Sequence, residues 1–468
     1  MPTAADVDGR YTNTLAGFVS TLRYSDLPTE VADYIKYVIL DGFGCALFGG
    51  TLPWSDVLTR SVERLGGDGP VPVWGHGRST SAERAALLNG SYLQAFELDD
   101  YSRHGGFHGC SLVLPAVMAA SELREGVTGQ DVITATVIGF EVGNRVGQCV
   151  GATRILSRGW HTGSVTGPMA AAAAAGSILG LDTTGMEHAF GIAGTLAGGL
   201  MAVQFGSMAK RMNHGRASQN GLLAAVLADQ GYTGIKAVFE QPYGGFCSTF
   251  AGDIDAVDLE ALIAGLGHDY RTFDTCLKPF ACRGPINVAL TALRAILHKH
   301  PASSDEVAEV RVYCTTVTGT KCGWPYQATG SATEAQMNLS YGIAVMLLEG
   351  DAFIAQYRDE LLTDPRVLEL IEKIQVIPDT RLDALGEKHR HHANVEVVFT
   401  DGTTLSDERQ VALGSYADPL SLDDVVDKFH KLVAGRPAPE RAEAVKDMVL
   451  TLDSLDDARL LGRALGEA

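Results

Sequence analysis

The chain has 468 residues, room for two to four domains at about 150 residues each and for a large buried core. Hydrophobic residues make up 46% and charged residues 20%, a globular composition that excludes disordered and fibrous classes. Against 56 Asp and Glu stand 37 Lys and Arg, a net charge of −19 with no basic run. A field of that sign repels phosphate backbones and anionic membrane surfaces, so neither nucleic acid nor membrane is an expected partner. The amino-terminal MPTAADVDGRYTNT lacks the basic-then-apolar pattern of a signal peptide, and no run of 18 apolar residues occurs. The eight cysteines form no C-x-x-C pair, which argues against a zinc ribbon, an iron–sulfur cluster or a disulfide scaffold. A cytoplasmic protein is expected.

In chain order, Leu27-Pro28-Thr29-Glu30 predicts a helix start, with Val31, Ile35, Val38 and Ile39 following at helical spacing. Residues 169–179 contain six consecutive alanines, the strongest helix former, and an Ala/Gly surface lets a second helix approach closely. The segment 191–200 (GIAGTLAGGL) has the same character. Both read as central helices of a many-helix core. The composition then shifts: 307–317 is β-branched, and 394–399 alternates into Asp401-Gly402, a type I′ hairpin signal. Between them, 334–348 and 364–374 read as helices, and 420–461 returns to charged amphipathic helix. The expected fold is mainly α. A large helical domain, discontinuous over 1–271 and 411–468, would carry a smaller α+β lid at 272–410.

Three segments concentrate chemistry. Glu97-Leu98-Asp99-Asp100-Tyr101 runs through Ser102 and Arg103 to His104 and His108, placing three carboxylates and two imidazoles in a glycine-broken stretch. It suits either a general acid/base histidine oriented by carboxylates or a capping loop. Trp160-His161-Thr162-Gly163 precedes the Ala-rich helix, where free N–H groups would favour an anion. Lys210 and His214 are four apart and share a helical face, with Arg211 beside them. A lysine desolvated next to other cations has a lowered pKa and can serve as a base. Gly42-Phe43-Gly44 begins a G-x-G, but Leu47 occupies the third glycine position of a dinucleotide fingerprint. His389-Arg390-His391-His392 reads as a solvated loop rather than a native metal site. Nothing in the sequence demands a cofactor or a metal.

ELDDY…H, GWHTG and K-R-x-x-H-G, joined by Tyr243-Gly244-Gly245-Phe246 and Cys322-Gly323-Trp324, resemble the MmgE/PrpD superfamily from about Ile35 to Leu455. That superfamily includes 2-methylcitrate dehydratase, cis-aconitate decarboxylase and iminodisuccinate epimerase, and the chain looks most like the fungal-type decarboxylases. The resemblance implies a helical domain plus an α+β lid, a homodimer, a site between the domains, and catalysis without a cofactor. It carries catalytic positions onto His108, His161 and Lys210. The acidic stretch from Glu97 through Asp99 and Asp100 would line the pocket with Tyr101, and His214 and Arg283 would hold carboxylates.

The chain departs from the decarboxylase pattern after Lys278. Arg283 replaces a cysteine, Asn287 replaces a histidine, and Ser102 stands where a histidine follows the tyrosine. Fewer imidazoles and an added guanidinium remove proton donors and add a carboxylate clamp. On that ground the sequence reading favours an epimerase of an iminodisuccinate-like polycarboxylate. Lys210 would abstract the α-proton and a histidine would return it. The alternatives are a cis-aconitate-type decarboxylase, a 2-methylcitrate-type dehydratase, and a non-catalytic carboxylate-binding helical dimer.

Overall fold

The computed structural model describes residues 7–328, 330–436 and 439–468. It is mainly helical with one four-stranded sheet. Helix α1 (Thr29–Gly49) starts where Leu27-Pro28 predicts it, and Val31, Ile35, Val38 and Ile39 are all fully buried. Then come α2 (Ala82–Leu93), α3 (Gly109–Ser121), α4 (Gly129–Val150), α5 (Thr162–Leu179) and α6 (Ala209–Asp229). Among the described residues, no single helix is long and apolar enough to cross a membrane.

The alanine run of α5 is completely buried, and α5 packs most extensively on α6. Small residues make that contact possible: a Cβ on Gly221 would lie 2.4 Å from Ala171 Cβ and 2.6 Å from the Pro168 carbonyl. Backbones this close leave α5 and α6 little freedom to slide. The neighbouring helix runs over Thr183–Leu196, so the helix expected through residue 200 ends four residues early. Gly198, at φ 143°, turns the chain there, and Trp160 bridges to Leu200 instead.

A short antiparallel pair, β1 (Tyr101–Ser102) and β2 (Thr275–Cys276), joins the acidic stretch to the segment that enters α7 (Gly284–Lys299). The sheet comprises β3 (Val307–Cys314), β4 (Ile374–Pro378), β5 (Ala393–Phe399) and β6 (Thr404–Arg409) in the order β4-β3-β5-β6. β4 runs parallel to β3, and the other pairs are antiparallel. The 364–374 helix expected from sequence covers only Pro365–Glu372, after which the chain enters β4. The 334–348 helix is two helices, because the Asn338 side chain caps a new start at Leu339.

The hairpin at Asp401-Gly402 forms, but with a three-residue loop rather than a two-residue I′ turn. Phe399 N–H donates to Thr403 O, and Gly402, at φ 90°, donates back to Phe399 O. Helices α8 (Leu422–Val433) and α9 (Pro439–Leu450) pack on α1. From α8, Lys428 reaches Asp41 at 2.7 Å and the Leu98 carbonyl at 2.8 Å, which ties the last part of the chain to the acidic stretch.

Candidate active site

A cavity of about 100 Å³ lies where the helical part meets the sheet part. Glu97, Tyr101, Ser102, His108, His161 and Lys210 line it from one side, and Arg283, Thr318, Lys321, Arg390 and His391 from the other. The three sequence motifs, up to 113 residues apart in the chain, therefore meet on one wall.

The acidic stretch leaves α2 through Glu97, a non-glycine residue at φ 59°. Holding a side-chain-bearing residue there costs about 1–3 kcal/mol. Cations compensate: Lys210 Nζ contacts Glu97, Arg211 Nη1 lies at 3.2 Å and Lys278 Nζ at 3.6 Å. Burial opposes the charge on Glu97, but Lys210, Lys278 and Arg211 outweigh it and hold its carboxyl below the usual range. Arg211 also donates to Thr333 and Gln336 and stacks on Trp54, so its guanidinium is used in joining segments.

Asp99 is fully buried behind the wall. It accepts from His108 Nδ1 at 3.0 Å, from Ser111 Oγ at 3.2 Å and from Lys278 Nζ at 3.3 Å. Burial disfavours its charge, yet Lys278 and His108 hold it well below the ordinary carboxylate value. An ionised Asp99 accepts only, so His108 Nδ1 carries a proton and Nε2 is left toward the cavity. Ser111 donates to Asp99 and accepts from His214 Nδ1 at 2.8 Å, which fixes the second imidazole's tautomer. His214 Nε2 is buried with no partner, and a Cβ on Gly163 would lie 2.4 Å from it.

His161 precedes the first residue of α5, 5% exposed, with Nδ1 3.4 Å from Ser164 Oγ. Burial, then the charges of Lys210 and His108, pull its pKa down to about 3, so the ring is neutral at physiological pH. Lys210, in the first turn of α6, is 5% exposed. Burial lowers its pKa and Glu97 only partly restores it. Arg283 precedes α7 and donates to Gln204 Oε1 and the Lys321 carbonyl, each at 3.2 Å.

Of the residues singled out in the sequence, Lys210, His108, His161, Tyr101 and Arg283 reach the cavity. Asp99, Asp100 and His214 do not line it. Asp99 and His214 support His108 from behind, their rings and carboxylate within a few ångströms. Asp100 accepts the N–H groups of Gly109 and Cys110 at 2.8 and 2.9 Å and so caps α3. Asn287 is also turned away. Its amide bonds Phe280 N and the Cys282 carbonyl, which shapes the entry into α7. The run His389–His392 is not a solvated loop: His391 and His392 are buried, and His391 lines the cavity. β5 begins directly after them at Ala393 and pairs with β3, which carries the start of the strand inside. Lys278, Thr318, Lys321 and His391 had no assigned role in the sequence, although the segment from Lys278 to Asn287, the histidine run and the Cys322-Gly323-Trp324 motif mark their neighbourhoods.

Asp99, His108 and His214 are, among the described residues, the one set whose metal-ligating atoms converge, within 4.8 Å. The Asp99 carboxylate and both Nδ1 atoms are engaged with one another and with Ser111, and the Lys278 ammonium at 3.3 Å repels a second cation. The set suits a proton, not a metal. The arrangement can hold carboxylates with Lys210, Arg283 and Lys321 while one supported imidazole moves a proton.

A helical body and an α+β part meet at a cation-rich, histidine-bearing cleft. The chain belongs to the MmgE/PrpD family: the MmgE/PrpD N-terminal domain matches residues 13–256 and the C-terminal domain matches 280–454. It is 35% identical over 476 residues, 98% of each chain, to a cis-aconitate decarboxylase-like protein of Aspergillus oryzae. The cis-aconitate decarboxylase of Aspergillus terreus is 34% identical over 461 residues, covering 95% of this chain and 94% of that one. A Homo sapiens cis-aconitate decarboxylase is 24% identical over 461 residues, 96% and 93% of the two chains.

Proposed function

We propose that the protein is a lyase that decarboxylates a cis-aconitate-like polycarboxylate by proton transfer from its own side chains. The observation that carries this reading is the placement of Asn287. The sequence preference for epimerisation rested on three departures, Ser102, Arg283 and Asn287, of which Ser102 and Arg283 line the cavity. Asn287 is instead fully buried in the first turn of α7, its amide bonded to Phe280 and Cys282, and Arg283 shares its guanidinium with Gln204 and Lys321. One departure thus says nothing about the reaction, and the whole-length similarity to cis-aconitate decarboxylases becomes the better guide.

In such a reaction the bond from the CH₂ group to its carboxylate breaks and CO₂ leaves. The electron pair forms a new C=C, and the former alkene CH carbon takes a proton. Each turnover consumes one proton, so the donor must be refilled from solvent. His108 suits this role because its side chain is 23% exposed, against 6% for Lys210, and Asp99 holds its ring in place. Lys210 and Arg283 hold the carboxylates that remain. His161, neutral in the resting site, adds a donor without adding charge.

Proton NMR of the purified protein with cis-aconitate in D₂O tests the reading. Release of CO₂ with one deuterium in a dicarboxylate product supports it. An inert cis-aconitate, with α-proton wash-out from iminodisuccinate stereoisomers, would restore the epimerase.

A further inference from the structure

His391 faces the cavity, and neither the sequence motifs nor the proton transfer above uses it. It lies two residues before β5, in the α+β part of the chain, and only 9% of its surface is exposed. Its Nδ1 is buried with no hydrogen-bond partner; the adjacent His392, whose Nδ1 is likewise unpartnered, meets Glu408 through Nε2 at 2.7 Å and does not line the cavity. A buried imidazole whose polar edge the protein leaves unmatched destabilises the fold unless a ligand engages the ring. Tyr101 packs beside it, ring centroids 5.9 Å apart, which limits how far the ring can swing. Burial, then Arg390, Arg103 and Arg283, hold its pKa well below the ordinary histidine value. The ring is therefore uncharged, with one N–H to give. Among Lys210, Arg283, Lys321 and Arg390, an uncharged donor adds a hydrogen bond without further repulsion between cations.

We propose that His391 is a substrate-binding, specificity-determining residue that donates a hydrogen bond to one carboxylate of a polycarboxylate beside the Arg283 guanidinium. This rests on the polycarboxylate part of the reading above and not on which bond breaks.

Tricarballylate, a saturated tricarboxylate that has no double bond to rearrange, is the probe. Its affinity is measured by titration calorimetry for the wild type, His391→Ala and His391→Gln. Nitrogen-15 histidine NMR then follows the ring resonances that disappear in His391→Gln. The alanine variant is expected to bind about ten- to a hundredfold more weakly, and glutamine to recover much of that loss. The His391 resonances of the wild type should shift on adding tricarballylate. With cis-aconitate, KM should rise more than kcat falls. Unchanged affinity in His391→Ala, static His391 resonances, or no binding of tricarballylate by the wild type would overturn the inference. If the alanine variant does not fold, the glutamine variant and the wild-type resonances decide. If cis-aconitate is not turned over but tricarballylate binding depends on His391, the inference stands and the decarboxylase reading falls.

Discussion

Asp99 and Asp100 are adjacent in the chain, yet Asp99 holds His108 Nδ1 at 3.0 Å while Asp100 holds the backbone N–H of Gly109 at 2.8 Å. One carboxylate serves the imidazole and the other serves the helix that carries it. Their protonation diverges accordingly. Asp99 stays ionised beside Lys278, whereas burial and the Asp99 charge push Asp100 up to about 6.

The raised value gives a pH signature. A carboxyl whose folded pKa exceeds its unfolded one binds more protons when folded, so stability falls as pH rises between about 4 and 6. Asp100→Asn removes that dependence. The stability difference between wild type and Asp100→Asn, from urea melts at pH 4 and 7, should change by about 2 kcal/mol, with the wild type losing more toward pH 7. Parallel melts at both pH values would assign the effect to some other group.

Lys210 sets an alkaline limit. Burial lowers its pKa, so the ammonium that holds substrate is lost at a lower pH than for an exposed lysine. The profile of kcat/KM against pH should fall on its alkaline side below the ordinary lysine value. Lys210→Arg keeps the charge and should move that limb upward, and Lys210→Ala should remove activity.

Gly163 is a test of the support behind His108. A methyl group there would lie 2.4 Å from His214 Nε2 and force that ring toward Ser111 and His108. Gly163→Ala is expected to lower kcat about a hundredfold with little change in the circular dichroism spectrum, as a misplacement near 1 Å does elsewhere. Full activity would show that the second imidazole does not position the first.

Arg283 and Asn287 should respond in opposite ways. Arg283→Ala removes a cavity-lining guanidinium and should raise KM about ten- to a hundredfold at nearly unchanged stability. Asn287→His puts a larger ring into a fully buried site and breaks bonds to Phe280 and Cys282. It should cost about 1–3 kcal/mol in denaturant melts. A gain in turnover by Asn287→His would place that residue at the substrate after all.

Much of this was legible in the sequence because it depends on local pattern. The start of α1, the buried alanine run of α5, the β3 strand and the Asp401-Gly402 hairpin follow from spacing and turn chemistry that act within a few residues. So does the one-turn spacing of Lys210 and His214 on α6. The family motifs likewise put His108, His161, Lys210 and Arg283 in reach of one another. What the sequence could not determine is which neighbouring groups face the cavity. Lys210 lines it and His214 does not, because His214 sits under Gly163, and only the close packing of α5 on α6 decides that. Asp99 and Asp100 separate for the same reason: each carboxylate goes where a buried N–H or ammonium would otherwise be unpaired. The histidine run reads as solvated from its charge, but β5 pairs with β3 over 393–399 and pulls His391 and His392 inside. Local sequence sets which element forms; the matching of buried polar groups across distant segments sets which side chain meets the substrate.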